Sequence, residues 1–541
     1  MTLNFNRSDI IRVVFLNAAG GKIISSMIET PKTAWWEISH INKAVEATYG
    51  IPARVVRCLS GDTNEVACSE RTYAVEFVGI NNNHYQDGLI ADLDSLNPKL
   101  DLESLASLRE LLEARRSSIR TRLISCEPWV KRSWQDEMES FVFGAISNVK
   151  TPGTCTQLRC WPRSNVYEIW ADAVRYIFKA CPPTYAVEPV LTQYLSKNYP
   201  SLVAEVKAVE AKSGFLLSVA FNGKETVTSD IKSLKAAACG LAKIQVAEAN
   251  DLSKLTHLGV VSQDYQKLKD SILTLLGDHS ALMVEKKGGL TALEFNKFKE
   301  TKGLLISAVS RLQTIGVPLS LEHGDFRAAN ILCNDSHSCR IIDWSEAVIS
   351  HPFFSLAQLL DEEDYAQDLC SAVQIKGQIA LAYFNPWLDA GFEKAHLEEA
   401  LHLARLLMPI AKGIERRERL IPSLADATSW TFSVTYWVRR FLLRLDSTDM
   451  LAGCDSGSVV LEKGTRKPVG LLCAASKTTT NSNHMPAVNT APSKTGFFGQ
   501  HSSTKKQGFS TLHPVSKGAK TTIIQDSLGI VMRAIPKLIR R

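Results

Sequence analysis

Long apolar runs are missing from this sequence of 541 residues. A membrane-spanning helix needs roughly 20 consecutive apolar residues, and no stretch reaches that length. The apolar run that begins at Ile10 is interrupted by Arg12 and has no basic leader. We therefore expect no transmembrane segment and a cytoplasmic location. The chain is nevertheless 45% hydrophobic, which is enough to form several globular domains.

Paired cysteine motifs are also missing. The twelve cysteines are scattered, and no CxxC pair occurs among them. In a long chain without a secretion signal, this spacing indicates reduced thiols and neither disulfides nor structural zinc. Cys333, His337 and Cys339 lie close together in sequence, but they have no second ligand pair, so we interpret them as a chance grouping.

Most of the chain lacks an excess of basic residues. The net charge is +6, but the segment from Asp446 to the end has 13 Lys and Arg against 5 Asp and Glu, which leaves −2 for residues 1–445. A nearly neutral body does not favour nucleic-acid binding, which needs a concentrated basic face. Residues 446–541 are also rich in Ser, Thr and Asn, and we expect them to form a basic, disordered tail.

The first 150 residues show two patterns. Strand-like runs on both sides of Gly20-Gly21, a helical run that ends at Gly50 and two further strand-like runs predict a small α/β accessory domain over residues 1–100. Leucines at helical spacing then predict a helical connector over residues 101–150.

The order of elements in the accessory domain faintly resembles a Nudix domain. If Gly50 is matched to the glycine that ends the Nudix motif, the positions of the metal-binding glutamates hold Ala44, Ala47 and Thr48. These side chains cannot bind a cation. We therefore expect no catalysis in this domain.

The segment LEHGDFRAANILCNDSHSCRIIDW, residues 321–344, brings three oxygen-bearing side chains together. Asn330 follows Asp325 by five residues, and Asp343 follows Asn330 by thirteen. A carboxylate that receives a hydroxyl proton, together with an amide oxygen and a second carboxylate facing Mg²⁺, is the set that phosphoryl transfer from ATP requires. Each residue alone has a simpler interpretation as a turn, a helix cap or a strand end. The combination favours a catalytic site.

The pattern H-G-D-x-x-x-x-N followed by I-D-W resembles the catalytic and metal motifs of the aminoglycoside phosphotransferase and choline kinase family, relatives of protein kinases. The resemblance covers approximately residues 150–445 and implies a bilobal, protein-kinase-like α+β fold. A small sheet lobe would occupy residues 151–228 and a helical lobe residues 229–445. ATP and Mg²⁺ would be the cofactors, and a small hydroxylated molecule would be the acceptor. We predict that the accessory domain of residues 1–100 is dispensable for ATP binding and affects acceptor choice or assembly.

The same resemblance assigns further site residues. YIFKACPP looks like the strand that bears the ATP lysine, Lys179, and Glu188 occupies the helix start where its ion-pair partner belongs. WPRSNVYEIW looks like the first phosphate-covering hairpin, with Ser164 and Asn165 at its turn. Arg327 stands where relatives have His or Lys and could neutralise the transferred phosphoryl group. Lys179 could instead be an ordinary solvated lysine, and Glu188 could simply favour a helix N-terminus.

The sequence departs from the family pattern in two more places. It has no full GxGxxG loop, and Ser355 stands where relatives usually have an aspartate that braces the active-site segment. The second departure puts the local stability of that segment in doubt more than catalysis.

Two classes of function remain open at this point. The first is an enzyme that transfers the γ-phosphate of ATP to a small metabolite or antibiotic. The second is a nucleotide-binding regulatory module, a degenerate kinase fold. Protein-kinase activity is disfavoured because IIDW replaces DFG and no APE sequence follows. The acidic run from Asp361 to Asp364 could attract a cationic acceptor, but it could also be an exposed helix end.

Overall fold

The computed structural model describes residues 8–16, 23–31, 33–60, 71–79, 100–117, 120–146, 153–362, 369–427, 430–446, 458–461 and 468–472. These residues belong to two compact units, of which the first ends at Asp449 and the second begins at Met450. Within the described residues, no helix combines the length and the apolar character needed to cross a membrane.

The chain begins with a four-stranded sheet and one helix: β1 (Ser8–Phe15), β2 (Ile24–Pro31), α1 (Ser39–Tyr49), β3 (Ala53–Ser60) and β4 (Thr72–Phe77). The sheet order is β2-β1-β4-β3, with β1 parallel to β4 and the other pairs antiparallel. Helix α1 ends where Gly50 adopts the left-handed conformation, with φ of 71°, as its position in the sequence predicted.

Three helices follow: α2 (Leu102–Arg116), α3 (Arg122–Cys126) and α4 (Trp134–Ala145). Asp101 caps α2 because its Oδ1 accepts a hydrogen bond of 2.7 Å from the backbone N–H of Ser104. Glu76 on β4 pairs with Arg54 on β3 and with Arg115 on α2. Burial opposes the charge of Glu76, but the two arginines lower its pKa to about 2. These ion pairs fix α2 against the sheet.

The sheet lobe contains five antiparallel strands and one helix: β5 (Thr154–Trp161), β6 (Ser164–Ala171), β7 (Val174–Ala180), α5 (Val187–Asn198), β8 (Val206–Glu210) and β9 (Phe215–Val219). The strand order is β5-β6-β7-β9-β8. Alternating side chains of β6 point into the core, which is the pattern expected for a sheet with one covered face.

The helical lobe follows. Its elements are β10 (Lys224–Glu225), α6 (Ile231–Glu248), α7 (Ser253–His257), α8 (Tyr265–Gly277), α9 (Ala292–Glu300), α10 (Lys302–Ile315), β11 (Ser320–Glu322), β12 (Ile331–Cys333), β13 (Cys339–Ile341), β14 (Val348–Ser350), α11 (Phe353–Leu360), α12 (Leu369–Asp389), α13 (Lys394–Glu415), α14 (Ile421–Ser423) and α15 (Phe432–Asp446). A π-helical turn, Arg416–Leu420, joins α13 to α14. The predicted α+β arrangement of a sheet lobe followed by a helical lobe is confirmed.

The N-terminal sheet, the connector helices and the sheet lobe share one hydrophobic core. Trp134 on α4 lies 6.1 Å from Phe178 and 6.0 Å from Phe215, measured between ring centroids. Polar contacts reinforce the junction, because Gln157 on β5 exchanges hydrogen bonds of 2.9 Å with both backbone groups of Val55. The N-terminal region is therefore built into the sheet lobe, which argues against its predicted dispensability.

Cys333 and Cys339 face each other across the β12–β13 hairpin and form a disulfide bond. The prediction that all cysteines are reduced is therefore wrong for this pair. Sequence spacing alone did not reveal that the two residues are cross-strand partners.

In the second unit, strands β15 (Ser458–Leu461) and β16 (Pro468–Leu472) pair as an antiparallel hairpin. The rest of the predicted tail, residues 446–541, lies outside the described residues apart from Asp446, so the predicted disorder there stays a prediction.

Candidate active site

The segment that carries the predicted catalytic residues begins with a tight turn after β11. Gly324 has a φ of 81°, and a Cβ at this position would clash with the carbonyl oxygen of Glu346. Only glycine tolerates both the left-handed backbone and this close approach. The turn delivers Asp325 to the surface of the helical lobe, where about a fifth of its side chain is exposed.

The carboxylate of Asp325 is held by two amide groups. Oδ1 accepts a hydrogen bond of 2.6 Å from Nε2 of Gln358, and Oδ2 accepts one of 2.9 Å from Nδ2 of Asn330. Nε of Arg327 lies 3.4 Å from Oδ2, and Nζ of Lys412 lies 4.0 Å from Oδ1. The carboxylate is thus fixed in direction while it remains partly open to solvent.

Asn330 is oriented by the same contacts. Its Nδ2 donates to the backbone oxygen of Asp325 at 2.8 Å as well as to the carboxylate. Among the described residues, no hydrogen bond uses its side-chain oxygen Oδ1. The amide oxygen, the group that can bind a cation, is therefore available.

Asp343 lies two residues after the end of β13 in a left-handed conformation, with φ of 63°. Its Oδ1 accepts hydrogen bonds of 2.7 Å from Nζ of Lys179 and from Oγ of Ser345. Burial favours the neutral acid, but the ammonium group of Lys179 holds the pKa of Asp343 well below its ordinary value. Asp343 is therefore an anion at neutral pH.

Lys179 on β7 also reaches Glu188 on α5, with a distance of 2.7 Å between Nζ and Oε1. Burial opposes the charge of Lys179, yet Asp343 and Glu188 together raise its pKa above the ordinary value. Burial raises the pKa of Glu188 in spite of the nearby ammonium group. The structure thus brings together the lysine and the glutamate that the sequence paired.

The imidazole of His323 connects the two halves of the motif. The ring is fully buried, its Nδ1 accepts from the backbone N–H of Asp325 at 3.2 Å, and its Nε2 lies 3.0 Å from the backbone oxygen of Ile342. An accepting Nδ1 places the proton on Nε2. Burial lowers the pKa of His323, so the ring stays neutral and joins the loop of Asp325 to the residue before Asp343.

Ser355 braces this segment in place of the expected aspartate. Its Oγ accepts from the backbone N–H of His323 at 3.0 Å and donates to Oε1 of Glu322 at 3.0 Å. The carboxylate missing from position 355 is thus supplied by Glu322, at the end of β11. The hydrogen bonds of Ser355 and Glu322 therefore brace the active-site segment although position 355 holds no aspartate.

The hairpin between β5 and β6 differs in one detail from the prediction. Its turn consists of Pro162 and Arg163, whereas Ser164 and Asn165 are the first residues of β6. The placement of Ser164 and Asn165 at the turn was therefore wrong, because the strands close with a two-residue loop. Ser164 is buried, and its Oγ accepts a hydrogen bond of 2.7 Å from the indole of Trp161.

Four charged residues beside the motif were missed by the sequence analysis. Glu346 is fully buried and contacts Arg163 from the hairpin turn, Lys412 from α13 and Arg416 from the π-helical turn. These residues come from three distant parts of the sequence. The indication in the sequence that a charged group lies beside the motif was the position of Glu346, three residues after Asp343.

The site is compatible with magnesium. Mg²⁺ prefers oxygen ligands and keeps several waters, so one carboxylate and one amide oxygen suffice when phosphates complete the coordination. Asp343 is an anion and Oδ1 of Asn330 is available, which meets this requirement. Within the described residues, no cluster of three or more His, Cys, Asp or Glu side chains forms another kind of metal site.

Comparison with known proteins gave matches among solved structures. No protein-family model and no curated protein sequence matches the chain. A choline/ethanolamine kinase family protein from Mesorhizobium loti is 13% identical with a TM-score of 0.41, over 58% of this chain and 96% of that one. The choline kinase LicA from Streptococcus pneumoniae is 14% identical with a TM-score of 0.40, over 57% and 99%.

Macrolide 2'-phosphotransferase MphH from Brachybacterium faecium is 13% identical to this chain, with a TM-score of 0.36, over 56% of this chain and 98% of that one.

Proposed function

We propose that this chain is an ATP-dependent phosphotransferase that moves the γ-phosphoryl group of ATP to a hydroxyl of a small molecule. One set of contacts supports the proposal: Asn330 donates to Asp325, Lys179 contacts both Asp343 and Glu188, and His323 joins the loop of Asp325 to the residue before Asp343. A module that only binds nucleotide does not need an oriented, partly exposed carboxylate at Asp325.

Asp325 is the group that orients the acceptor hydroxyl and receives its proton. Gln358 and Asn330 hold its two oxygens in place through their amide groups. About a fifth of the Asp325 side chain is exposed, so a hydroxyl donor could reach the carboxylate. Since a positioned base contributes about 100-fold or more to a rate, this contact is a major part of the expected catalysis.

Asn330 and Asp343 would hold the metal, and Lys179 would bind the α- and β-phosphates. Bound Mg²⁺ neutralises phosphate charge and orients the transferred group. Lys179 lies between Glu188 and Asp343, so the ammonium group is held beside a metal ligand at the place where phosphates would enter. We assign Ser164 an indirect part, in which its bond to Trp161 fixes the turn that covers the phosphates.

Arg327 is the remaining predicted catalytic residue. About half of its side chain is exposed, and its guanidinium is loosely paired with Asp325. It can therefore turn toward a transferred phosphoryl group at little cost. Its charge would stabilise the negative oxygens of that group in the transition state.

Two substitutions test the assignment because they should fail in different ways. Asp325→Asn removes the proton acceptor, so we expect transfer to fall about 100-fold or more while Mg-ATP affinity changes little. Asp343→Ala removes a metal ligand, so we expect weaker magnesium-dependent nucleotide binding that excess Mg²⁺ partly restores. The matched control is Asp335→Asn, an exposed aspartate in the loop of the β12–β13 hairpin.

The measurements are nucleotide affinity at two magnesium concentrations and single-turnover transfer to an acceptor found by screening hydroxylated molecules for ADP release. If Asp325→Asn turns over like the Asp335→Asn control, Asp325 is not the base. If Asp343→Ala leaves both the magnesium dependence and the rate unchanged, the phosphotransferase assignment is wrong. Nucleotide binding by the wild type without transfer to any acceptor would instead favour the regulatory module.

A further inference from the structure

Cys181 lies between Lys179 and Glu188 in the sequence, at the place where β7 ends and the chain turns toward α5. Its side chain is buried, and its Sγ lies 2.9 Å from Oε2 of Glu188. The other carboxylate oxygen of Glu188, Oε1, accepts a hydrogen bond of 2.7 Å from Nζ of Lys179. The two oxygens of one buried carboxylate are therefore divided between a thiol and an ammonium group.

The thiol is the donor in its contact with Glu188. Burial raises the pKa of Cys181 well above its ordinary value, and the neighbouring carboxylate of Glu188 acts in the same direction. The sulfur therefore keeps its proton at neutral pH and can donate it to Oε2. Among the described residues, no other group donates to this oxygen. Loss of the thiol would leave a buried carboxylate oxygen without a donor, which is costly.

The backbone of Cys181 is fixed on both sides. Its N–H donates to the backbone oxygen of Gly214 at 2.9 Å, in the turn between β8 and β9. Gly214 has a φ of 69°, and a Cβ at this position would clash with the carbonyl oxygen of Cys181. On the other side, Pro182 and Pro183 restrict the backbone before α5. A rigid connection thus places the thiol against Glu188.

The position of Lys179 depends on the direction of the Glu188 carboxylate. Nζ of Lys179 lies 2.7 Å from Glu188 and 2.7 Å from Asp343. Asp343 is also the proposed metal ligand, so Glu188 is the partner that holds Lys179 when Asp343 binds a cation. With Oε2 held by the thiol, Oε1 is directed toward Lys179. Without the thiol, the carboxylate could rotate, and the ammonium group would lose a fixed partner.

A buried cysteine can also be a small apolar residue that simply fills a core. Cys160 on β5 offers a comparison, because it is similarly buried but its Sγ lies 3.5 Å from the backbone oxygen of Val56. The contact of Cys181 is shorter, and its acceptor is a carboxylate instead of a neutral carbonyl group. Hydrogen bonds to charged groups are the stronger class. These differences favour a polar role for Cys181.

Resting on the phosphotransferase function proposed above, we propose that Cys181 is a positioning residue. Its thiol holds one oxygen of Glu188, so that the other oxygen fixes the ammonium group of Lys179 where nucleotide phosphates bind. Cys181 contacts neither the nucleotide nor the acceptor in this role. It acts through Glu188 alone.

The first test separates the donor from the volume of the side chain. Cys181→Ser keeps a donor in a smaller side chain, whereas Cys181→Val keeps an apolar side chain without a donor. By calorimetry, we expect MgADP affinity to fall about 3-fold or more in Cys181→Val and to stay within about 2-fold of the wild type in Cys181→Ser. The matched control is Cys160→Val, which should leave MgADP affinity unchanged.

A role in packing alone predicts the opposite order, with Cys181→Val tolerated and Cys181→Ser impaired. That order, or equal MgADP affinity in Cys181→Val and the wild type, would overturn the proposal. Thermal unfolding shows whether Cys181→Val is folded. If it is not, Cys181→Ala, which has no donor and adds no bulk, takes its place with the same expected loss of affinity.

The second test asks whether Cys181 acts through Glu188. In Glu188→Gln the carboxylate is gone, so adding Cys181→Val should reduce MgADP affinity by less than about 2-fold further. A further loss as large as that caused by Cys181→Val in the wild type would mean that the two residues act independently. The proposal would then be wrong.

The third test needs no nucleotide. Infrared difference spectra of wild type against Cys181→Ser, and of wild type against Cys160→Val, isolate the S–H stretching band of each cysteine. A hydrogen bond to a carboxylate weakens the S–H bond, so we expect the Cys181 band at the lower frequency and expect it to rise in Glu188→Gln. A Cys181 band at or above that of Cys160, or one unchanged in Glu188→Gln, contradicts the proposal.

The three tests also separate this proposal from the function on which it rests. If the wild type does not bind MgADP, the phosphotransferase function fails, and the infrared bands still decide whether the thiol holds Glu188. If the wild type binds MgADP and Cys181→Val binds it equally well, the function stands and the positioning role of Cys181 is wrong.

Discussion

The buried carboxyl group of Glu322 should make the active-site segment less stable as pH rises. Glu322 ends β11, and its Oε1 accepts a hydrogen bond of 3.0 Å from the hydroxyl of Ser355. Burial raises its pKa from 4.5 to about 7. At about 1.4 kcal/mol for each tenfold change in a proton equilibrium, this difference corresponds to about 3 kcal/mol.

The sign follows from the direction of the pKa change. Because folding raises the pKa of Glu322, the folded state holds a proton that the unfolded state loses between pH 4.5 and 7. The stabilisation is complete below pH 4.5 and is lost as pH rises through 7. In Glu322→Gln the side chain is neutral at every pH, so this dependence should disappear.

The assay is amide hydrogen exchange of the peptide spanning residues 321–344, at pH 5, 6, 7 and 8. Local exchange is the suitable measure because a chain of this size need not unfold in two states. Comparing wild type with variant at one pH cancels the intrinsic pH dependence of exchange. From pH 5 to pH 8, we expect protection in the wild type to fall relative to Glu322→Gln by up to about 100-fold, equivalent to about 3 kcal/mol.

The control is Glu393→Gln, at a side chain that is 76% exposed, and its ratio to wild type should stay constant with pH. A ratio between wild type and Glu322→Gln that also stays constant, or that changes in the opposite direction, would refute the reasoning. It would mean that Glu322 is ionised in the folded protein and that Ser355 and Lys412 satisfy its charge.

Three further outcomes are expected. A truncated chain that starts at Gly153 should not fold, because it loses part of the shared core; nucleotide binding by this chain would contradict that expectation. Trp134→Ala should cost about 3–5 kcal/mol in thermal unfolding, whereas Trp170→Ala, at an indole that is 45% exposed, should cost little. Ser355→Asp should destabilise the protein at pH 8 by placing a second carboxylate beside Glu322, and adding Glu322→Gln should restore stability; additive effects would contradict this coupling.

The proximity of Asp325 and Asn330, and their link to the segment before Asp343, was predictable because these residues lie in one short segment. The spacing of Asp325, Asn330 and Asp343 is set by a turn and a hairpin, and both are local structures. Lys179 and Glu188 were predictable for a related reason, since a strand followed directly by a helix restricts where their side chains can meet. The local backbone thus contained most of the information about this part of the site.

The ion pairs that join Glu346 to Arg163, Lys412 and Arg416 could not be predicted in the same way. Arg163 lies in a hairpin turn, Glu346 follows the metal motif, and Arg416 lies near the end of the helical lobe. Each is an ordinary surface-type residue in its own sequence context. Their contact depends on how the two lobes close, and neither periodicity nor motif spacing describes that closure.

The integration of the N-terminal region was missed for a similar reason. A sheet with one helix looks complete in a sequence pattern, which does not reveal which apolar face is covered by another part of the chain. Gln157 is the informative residue: it is polar, it lies in the edge strand β5, and its amide pairs with the backbone of Val55. A lone glutamine in a strand normally predicts a solvent-facing position.

Ser355 and Glu322 together take the place of the aspartate that relatives usually have at position 355. The motif has lost that residue and kept its geometry. The requirement at this place is an acceptor for the backbone N–H of His323, because the ring of His323 holds Asp325 and the residue before Asp343. A serine hydroxyl meets that requirement only if its own proton has an acceptor, and Glu322 provides one. The carboxyl group of Glu322 therefore accompanies the serine at position 355. Replacing Glu322 with Gln should change both the pH dependence of this segment and the tolerance of position 355 to aspartate.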